Sequence, residues 1–108
     1  MKHLIVSVLA VASLSASQAT QTFTGTISDN MCARGGHAQM RMGPTDAECT
    51  RLCVMLHDAA FVLDDGRNVY TLSDQKAPEP FAARKVRVVG TFDEKAGTIH
   101  VESIAAAE

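Results

Sequence analysis

Five short segments of this chain are predicted to be β-strands, most of them because apolar and polar residues alternate: 23–27, 60–63, 68–72, 86–92 and 98–102. Asp65-Gly66 stands between the second and third segments, and an Asp-Gly pair there is a strong signal for a tight hairpin. A period of two is typical of half-buried antiparallel strands, so the pattern predicts a mainly β domain. Its predicted core consists of inward-facing positions: Phe23, Ile27, Phe61 or Val62, Val88, Phe92, Ile99 and Val101.

One α-helix is predicted between the first two strands. Thr45 and Glu48 have the spacing of a capping box, in which the Thr hydroxyl accepts the Glu backbone N–H and the Glu side chain reaches back. Pro44 disfavours an earlier start, so the helix is predicted to run from Thr45 to about Asp58. Apolar residues recur there at helical spacing and predict one buried face: Cys49, Leu52, Cys53, Leu56 and Ala60.

The order of these elements favours one small fold. Five short strands in a chain of this length suit a small, partly open barrel of the OB type. The connector 73–84 contains Pro78 and Pro80 and is predicted to hold at most one short helical turn. We therefore expect a mainly β protein, a small five-stranded antiparallel OB-like barrel with one α-helix inserted between strands 1 and 2.

Residues 1–19 are predicted to be a signal peptide rather than part of the fold. Lys2 supplies a positive start, residues 4–14 are almost entirely apolar, and Ser17-Gln18-Ala19 fits the small-x-small cleavage rule. The apolar run is shorter than the roughly 20 residues that span a bilayer, so no stable membrane insertion is expected after cleavage. We expect a single domain, 20–108, located in the periplasm or outside the cell.

Composition argues against nucleic acid as a partner. The formal net charge is −2 at pH 7, and the chain has one Tyr, four Phe and no Trp. Single-stranded nucleic acid is bound by stacking aromatic side chains and positive charge, and phosphate backbones attract basic surfaces. The sequence indicates no other partner.

The candidate chemistry is concentrated in residues 32–53. Cys32 and His37 have the spacing Cys-x4-His, and Cys49 and Cys53 follow as Cys-x3-Cys, one turn apart on the predicted helix. Three cysteines and one histidine are an accepted ligand set for Zn²⁺. The loop after strand 1 must return to the start of the helix, which brings all four side chains within reach. These residues therefore predict a metal site, with zinc as the first candidate.

A structural disulfide is an equally open interpretation of the cysteines. The chain has three cysteines, so one disulfide leaves one thiol over. Neighbouring helical turns hold their Cα atoms near the long end of the range that a disulfide allows, so Cys32 paired with Cys49 or Cys53 is the more natural bond. Such a bond would pin the loop to the helix and stabilise the fold by about 2–4 kcal/mol.

Copper handling and thiol redox chemistry are the remaining alternatives. Met31, Met40 and Met42 lie beside Cys32 and His37, and thioether, thiolate and imidazole together suit Cu(I). A redox enzyme would use the Cys-x3-Cys pair, but the sequence lacks the usual Cys-x-x-Cys in a βαβ unit. The sequence contains no complete catalytic constellation, so we expect a non-enzymatic module.

The chain carries a series of short motifs in this order: 24–29, Cys32, His37, Cys49, Cys53, 59–63, 69–75, Phe81 and 86–90. Together they resemble a family of small exported bacterial proteins of unknown function, over nearly the whole of 20–108. The resemblance implies an OB-like barrel and these site positions, and it implies no activity. The family pattern places its Cys and His closer together, so Gly35-Gly36 is interpreted as an insertion. A looser resemblance to periplasmic copper chaperones extends only to fold class and compartment.

Overall fold

The computed structural model describes residues 19–39 and 41–107. The predicted signal peptide, except for Ala19, lies outside the described residues, and so does Met40. Among the described residues, every helix is too short or too polar to traverse a lipid bilayer.

Five strands and one α-helix form the described part, as the sequence predicts. The strands are β1 Gln21–Asp29, β2 Phe61–Asp64, β3 Val69–Leu72, β4 Lys85–Asp93 and β5 Thr98–Ala106. The helix α1 spans Asp46–Leu56, between β1 and β2. Two single-turn 3₁₀ segments, His37–Gln39 and Glu79–Phe81, lie before α1 and before β4. The second is the short turn expected in the proline-containing connector.

The strand pairings run in a closed ring in the order β1-β2-β3-β5-β4, with β4 returning to β1. Four of the pairs are antiparallel, but β3 and β5 pair parallel, with Thr71 opposite Thr98 and Leu72 opposite Ile99. The prediction of a wholly antiparallel sheet is therefore wrong for this pair. The reason is geometric: strand directions cannot alternate around a ring with an odd number of members, so five strands require a parallel neighbour.

Strand β1 pairs with two neighbours, each over part of its length. Residues 21–26 pair with β4, while residues 26–29 pair with β2. Next to the shared residue Thr26, a Cβ on Gly25 would lie 2.5 Å from the carbonyl oxygen of Asp64. Glycine is required there because the backbones approach too closely for any side chain.

The main core lies inside the sheet. Its buried residues are Ile27, Phe61, Leu63, Leu72, Val86, Val88 and Ile99. The predicted core positions Phe23, Phe92 and Val101 are only partly buried and pack against this cluster. The rings of Phe23 and Phe92 both contact Tyr70, with centroids 5.4 and 5.3 Å away. Burial of each large side chain contributes about 1.5–3 kcal/mol, so this cluster is the main source of stability.

Helix α1 begins as predicted and ends early. The Thr45 hydroxyl oxygen accepts a hydrogen bond from the Glu48 backbone N–H at 3.2 Å. The helix ends at Leu56, because Asp58 takes a left-handed conformation with φ 57° and turns the chain toward β2. Its buried residues are Cys49, Thr50 and Cys53, whereas Leu56 is 62% exposed. The predicted apolar face is therefore wrong at Leu56, which extends beyond the surface that the helix covers.

Candidate metal centre

A second, smaller cluster lies between α1 and the loop that follows β1. It consists of Cys32, Cys49, Cys53 and Ala59, with Met42 and Val54 packed against it. Cys49 and Cys53 stand one turn apart on the same side of α1, and Cys32 approaches them from the loop. This small apolar pocket is where the structure brings all three cysteines of the chain together.

Asp29 positions the loop that carries Cys32. One carboxylate oxygen, Oδ2, accepts hydrogen bonds from the backbone N–H groups of Met31 and Cys32, each at 3.1 Å. The Asp29 carbonyl also accepts from the N–H groups of Cys32 and Ala33, at 3.2 and 3.0 Å. The last residue of β1 thereby winds the chain into a tight turn. This turn directs Cys32 toward α1.

The return of the loop to α1 is held by Arg41. Its guanidinium contacts the Asp46 carboxylate and the Pro44 carbonyl, each at 2.7 Å. Both charged side chains are about half exposed, so the ion pair adds at most about 1 kcal/mol. Its effect is on geometry, since the Met42 backbone N–H is placed to donate to the Cys49 sulfur at 3.3 Å.

The sulfurs of Cys32, Cys49 and Cys53, here named the cysteine set, all lie within 4.8 Å of one another. Cys32 is 3% exposed and the other two are fully buried. No disulfide joins them within the described residues. Tetrahedral Zn²⁺ with Zn–S bonds of about 2.3 Å holds its sulfurs roughly 3.8 Å apart. The three sulfurs are therefore close enough together to hold one ion.

His37 belongs to a second group of possible metal ligands. A carboxylate oxygen of Asp29, the Cys32 sulfur and a ring nitrogen of His37 lie within 4.8 Å of one another. We name these three residues the outer set, because His37 is only half buried. Cys32 belongs to both sets. Coordination of one ion by His37 together with all three cysteines stays a prediction.

Two polar atoms of the outer set are buried and lack a hydrogen-bond partner among the described residues. They are Asp29 Oδ1 and His37 Nδ1. A buried polar atom without a partner typically costs about 1–3 kcal/mol. A bound ion is one of the explanations for a buried polar atom that has no hydrogen-bond partner.

Burial controls the protonation of the thiols. It raises the pKa of Cys32 to about 12, and the neighbouring Asp29 carboxylate and the other two thiols add to the effect. Burial also raises the pKa of Cys53, again with a contribution from Asp29. Without a cation, the Cys32 and Cys53 thiols are therefore protonated at neutral pH. A bound cation would replace those protons, since thiolate is the form that ligates metals.

The other residues considered from the sequence differ in their distance from these sets. Met31 is 43% exposed, whereas Met42 packs against the cysteine cluster. Asp65 accepts backbone hydrogen bonds from Arg67 and Asn68, so it shapes the hairpin turn. The possible metal ligand that sequence reasoning missed is Asp29. The available signal was an aspartate just after the first predicted strand, since Asp side chains commonly accept backbone N–H groups in tight turns.

Comparison of the chain with protein-family models, with curated protein sequences and with solved structures finds no match. The family resemblance of its sequence motifs stays a prediction. What the site does must therefore be inferred from its donor atoms and their surroundings.

Proposed function

We propose that this protein is an exported, non-enzymatic, OB-like module that binds one soft metal ion, with Zn²⁺ as the first candidate, through the cysteine set. The observation that carries the proposal is the convergence of three buried sulfurs from two separate elements. Thiolates are the ligands that select Zn²⁺ and Cu(I) over harder cations. In a small domain, such an ion also joins a loop to a helix and stabilises both.

A structural disulfide explains fewer of the observations. It needs two cysteines, whereas three converge, and the third would be left as a buried thiol beside the bond. A disulfide also does not explain why the buried atoms Asp29 Oδ1 and His37 Nδ1 lack hydrogen-bond partners among the described residues. A metal ion uses three sulfurs and places a positive charge beside the Asp29 carboxylate.

Copper handling is the second candidate function. Three thiolates suit Cu(I), and the packing of Met42 against the cysteine cluster adds a soft thioether nearby. Zinc comes first because the oxygen and nitrogen donors of the outer set suit Zn²⁺ better. Thiol redox catalysis is disfavoured, since a reactive cysteine needs a lowered pKa and some exposure, and Cys32 and Cys53 have neither.

The remaining parts of the proposal rest on separate observations. The ring order, with its one parallel pair and the helix outside the sheet, supports an OB-like barrel of the kind that the motif resemblance implies. The pattern of residues 1–19 supports export to the periplasm or beyond the cell. The net charge of −2 supports a role without nucleic acid.

Elemental analysis combined with thiol counting tests this function. The protein, purified from its native compartment, should contain close to one zinc per chain, and its thiols should resist alkylation until a chelator is added. Cys49→Ser should lose the metal, whereas His100→Ala, which alters an exposed histidine on β5, should keep it. Copper in place of zinc would favour the second candidate. Absence of metal together with one reactive thiol per chain would refute the proposal and favour a disulfide.

A further inference from the structure

We propose that the outer set, Asp29, Cys32 and His37, is a second metal-binding position, through which Zn²⁺ reaches the cysteine set. This inference rests on the proposed function and adds a route to it. The two sets share Cys32, so one sulfur can remain bound while the other ligands of the ion are exchanged.

The possible ligand atoms of the outer set are buried and oriented in a way that suits a cation. Asp29 is fully buried, and its Oδ2 is occupied by two backbone N–H groups. Its Oδ1 and the Nδ1 of His37 have no partner among the described residues. The carboxylate is therefore fixed in orientation with one oxygen available. Carboxylate oxygen, thiolate sulfur and imidazole nitrogen are all recognised ligands of Zn²⁺.

Access from solvent favours two of the three residues of the outer set. A surface cleft of about 280 Å³ is lined by Cys32, Gly36 and His37, among other residues, but not by Asp29, Cys49 or Cys53. The last three residues are fully buried. An ion that enters through this cleft meets Cys32 and His37 first.

The transfer between the sets is a ligand exchange without electron transfer. The Cys32 thiol releases its proton when the ion binds the outer set. Bonds from the ion to Asp29 and His37 then break, while bonds to the sulfurs of Cys49 and Cys53 form. Each of these two thiols releases its proton to water, and the ion remains Zn²⁺ throughout.

Loading kinetics test the route. Reduced, metal-free protein is mixed with Zn²⁺, and uptake is followed with a chromogenic chelator; release is followed by adding an excess of the same chelator. His37→Ala should slow both uptake and release by about tenfold or more while leaving the equilibrium affinity unchanged. His100→Ala is the matched control and should behave as wild type. Circular dichroism verifies that both variants are folded.

A second variant isolates the outer set. With Cys49 and Cys53 both replaced by serine, the protein should still bind one Co²⁺ weakly, with the charge-transfer absorption of a single thiolate. Adding His37→Ala to this double variant should abolish that binding, whereas adding His100→Ala should not.

Other results would overturn the inference. These are equal uptake rates for His37→Ala and His100→Ala, or no Co²⁺ binding by the double serine variant. Weaker equilibrium affinity with unchanged uptake would make His37 a ligand of the cysteine-bound ion and would also overturn it. Failure of the proposed function is recognised separately, because wild-type protein would then bind neither Zn²⁺ nor Co²⁺.

Discussion

Asp29 has two roles at the scale of a single residue. Its Oδ2 and its carbonyl shape the turn that presents Cys32. Its Oδ1 is buried and lacks a hydrogen-bond partner among the described residues, and one oxygen of the carboxylate lies within 4.8 Å of the Cys32 sulfur. The first role needs only a hydrogen-bond acceptor, whereas the second needs a carboxylate. Two substitutions can therefore separate the two roles.

We expect Asp29→Ala to lower the free energy of unfolding of the metal-free protein by about 1–3 kcal/mol, because two N–H groups lose their acceptor. Asp29→Asn should recover most of this loss, since its amide oxygen accepts the same two hydrogen bonds. Urea unfolding of the two variants, compared with wild type, measures the difference. Equal losses for alanine and asparagine would show that the turn does not depend on these bonds.

The cysteine set was more predictable from the sequence than the outer set. Cys49 and Cys53 had to share a helical face, and Cys32 lay on the loop that returns to that helix. The grouping of His37 with Asp29 was not predictable, because it depends on how the turn after β1 winds. Pattern periodicity carries no information about such a turn, although an aspartate at its start favours a hydrogen bond from the backbone N–H two residues on, here Met31.

At the scale of elements, α1 is defined better at its start than at its end. Thr45 supplies a side-chain cap, and the capping-box spacing in the sequence predicts this cap. The end depends on the left-handed conformation of Asp58, a conformation usually signalled by glycine. Without that signal the helix was predicted two residues too long. Leu56 is the last residue of the observed helix and is 62% exposed, so its predicted place on the buried face was wrong for a separate reason.

Thr45→Ala should destabilise the protein by about 1 kcal/mol, because the Glu48 N–H loses its acceptor. For a domain of this size the midpoint of thermal unfolding should fall by about 4–8 °C. Thr45→Ser, which keeps the hydroxyl, is the matched control and should lie close to wild type. An unchanged midpoint for the alanine variant would mean that the cap contributes nothing to stability.

The whole molecule depends on β1, which closes the ring by pairing with both β2 and β4. Gly25 pairs with Val86 of β4 and precedes Thr26, the residue that both pairings share. Gly25→Ala should cost at least about 2 kcal/mol, since its Cβ meets the Asp64 backbone and the strands would have to separate. Gly66→Ala, where a Cβ meets nothing within 4 Å but the φ of 92° strains any residue other than glycine, should cost only about 1–2 kcal/mol. Chemical denaturation of both variants compares them, and a larger loss for Gly66→Ala would contradict this account.

The strands could be predicted from the sequence where buried and exposed positions alternate with a period of two, as Val86 and Val88 show on β4. The closure of the ring could not be predicted from the sequence in the same way. It depends on which strand edges meet after two long connections, and local patterning does not specify that. Counting the strands would have been enough to predict one parallel pair, once closure was assumed.

Among the described residues, two hydrophobic clusters stabilise the protein, one inside the sheet and one beneath α1, and Val54 packs against both. The second has only small residues at its centre, so it buries little apolar area and depends more on the proposed ion than the sheet does. Removing the metal with a chelator should therefore loosen α1 and residues 30–45, while the strands remain folded. Hydrogen exchange should show faster exchange of the helix amides and unchanged protection in β4 and β5. Equal loss of protection in the strands would show that the ion supports the whole fold, because the two clusters would then unfold as one unit.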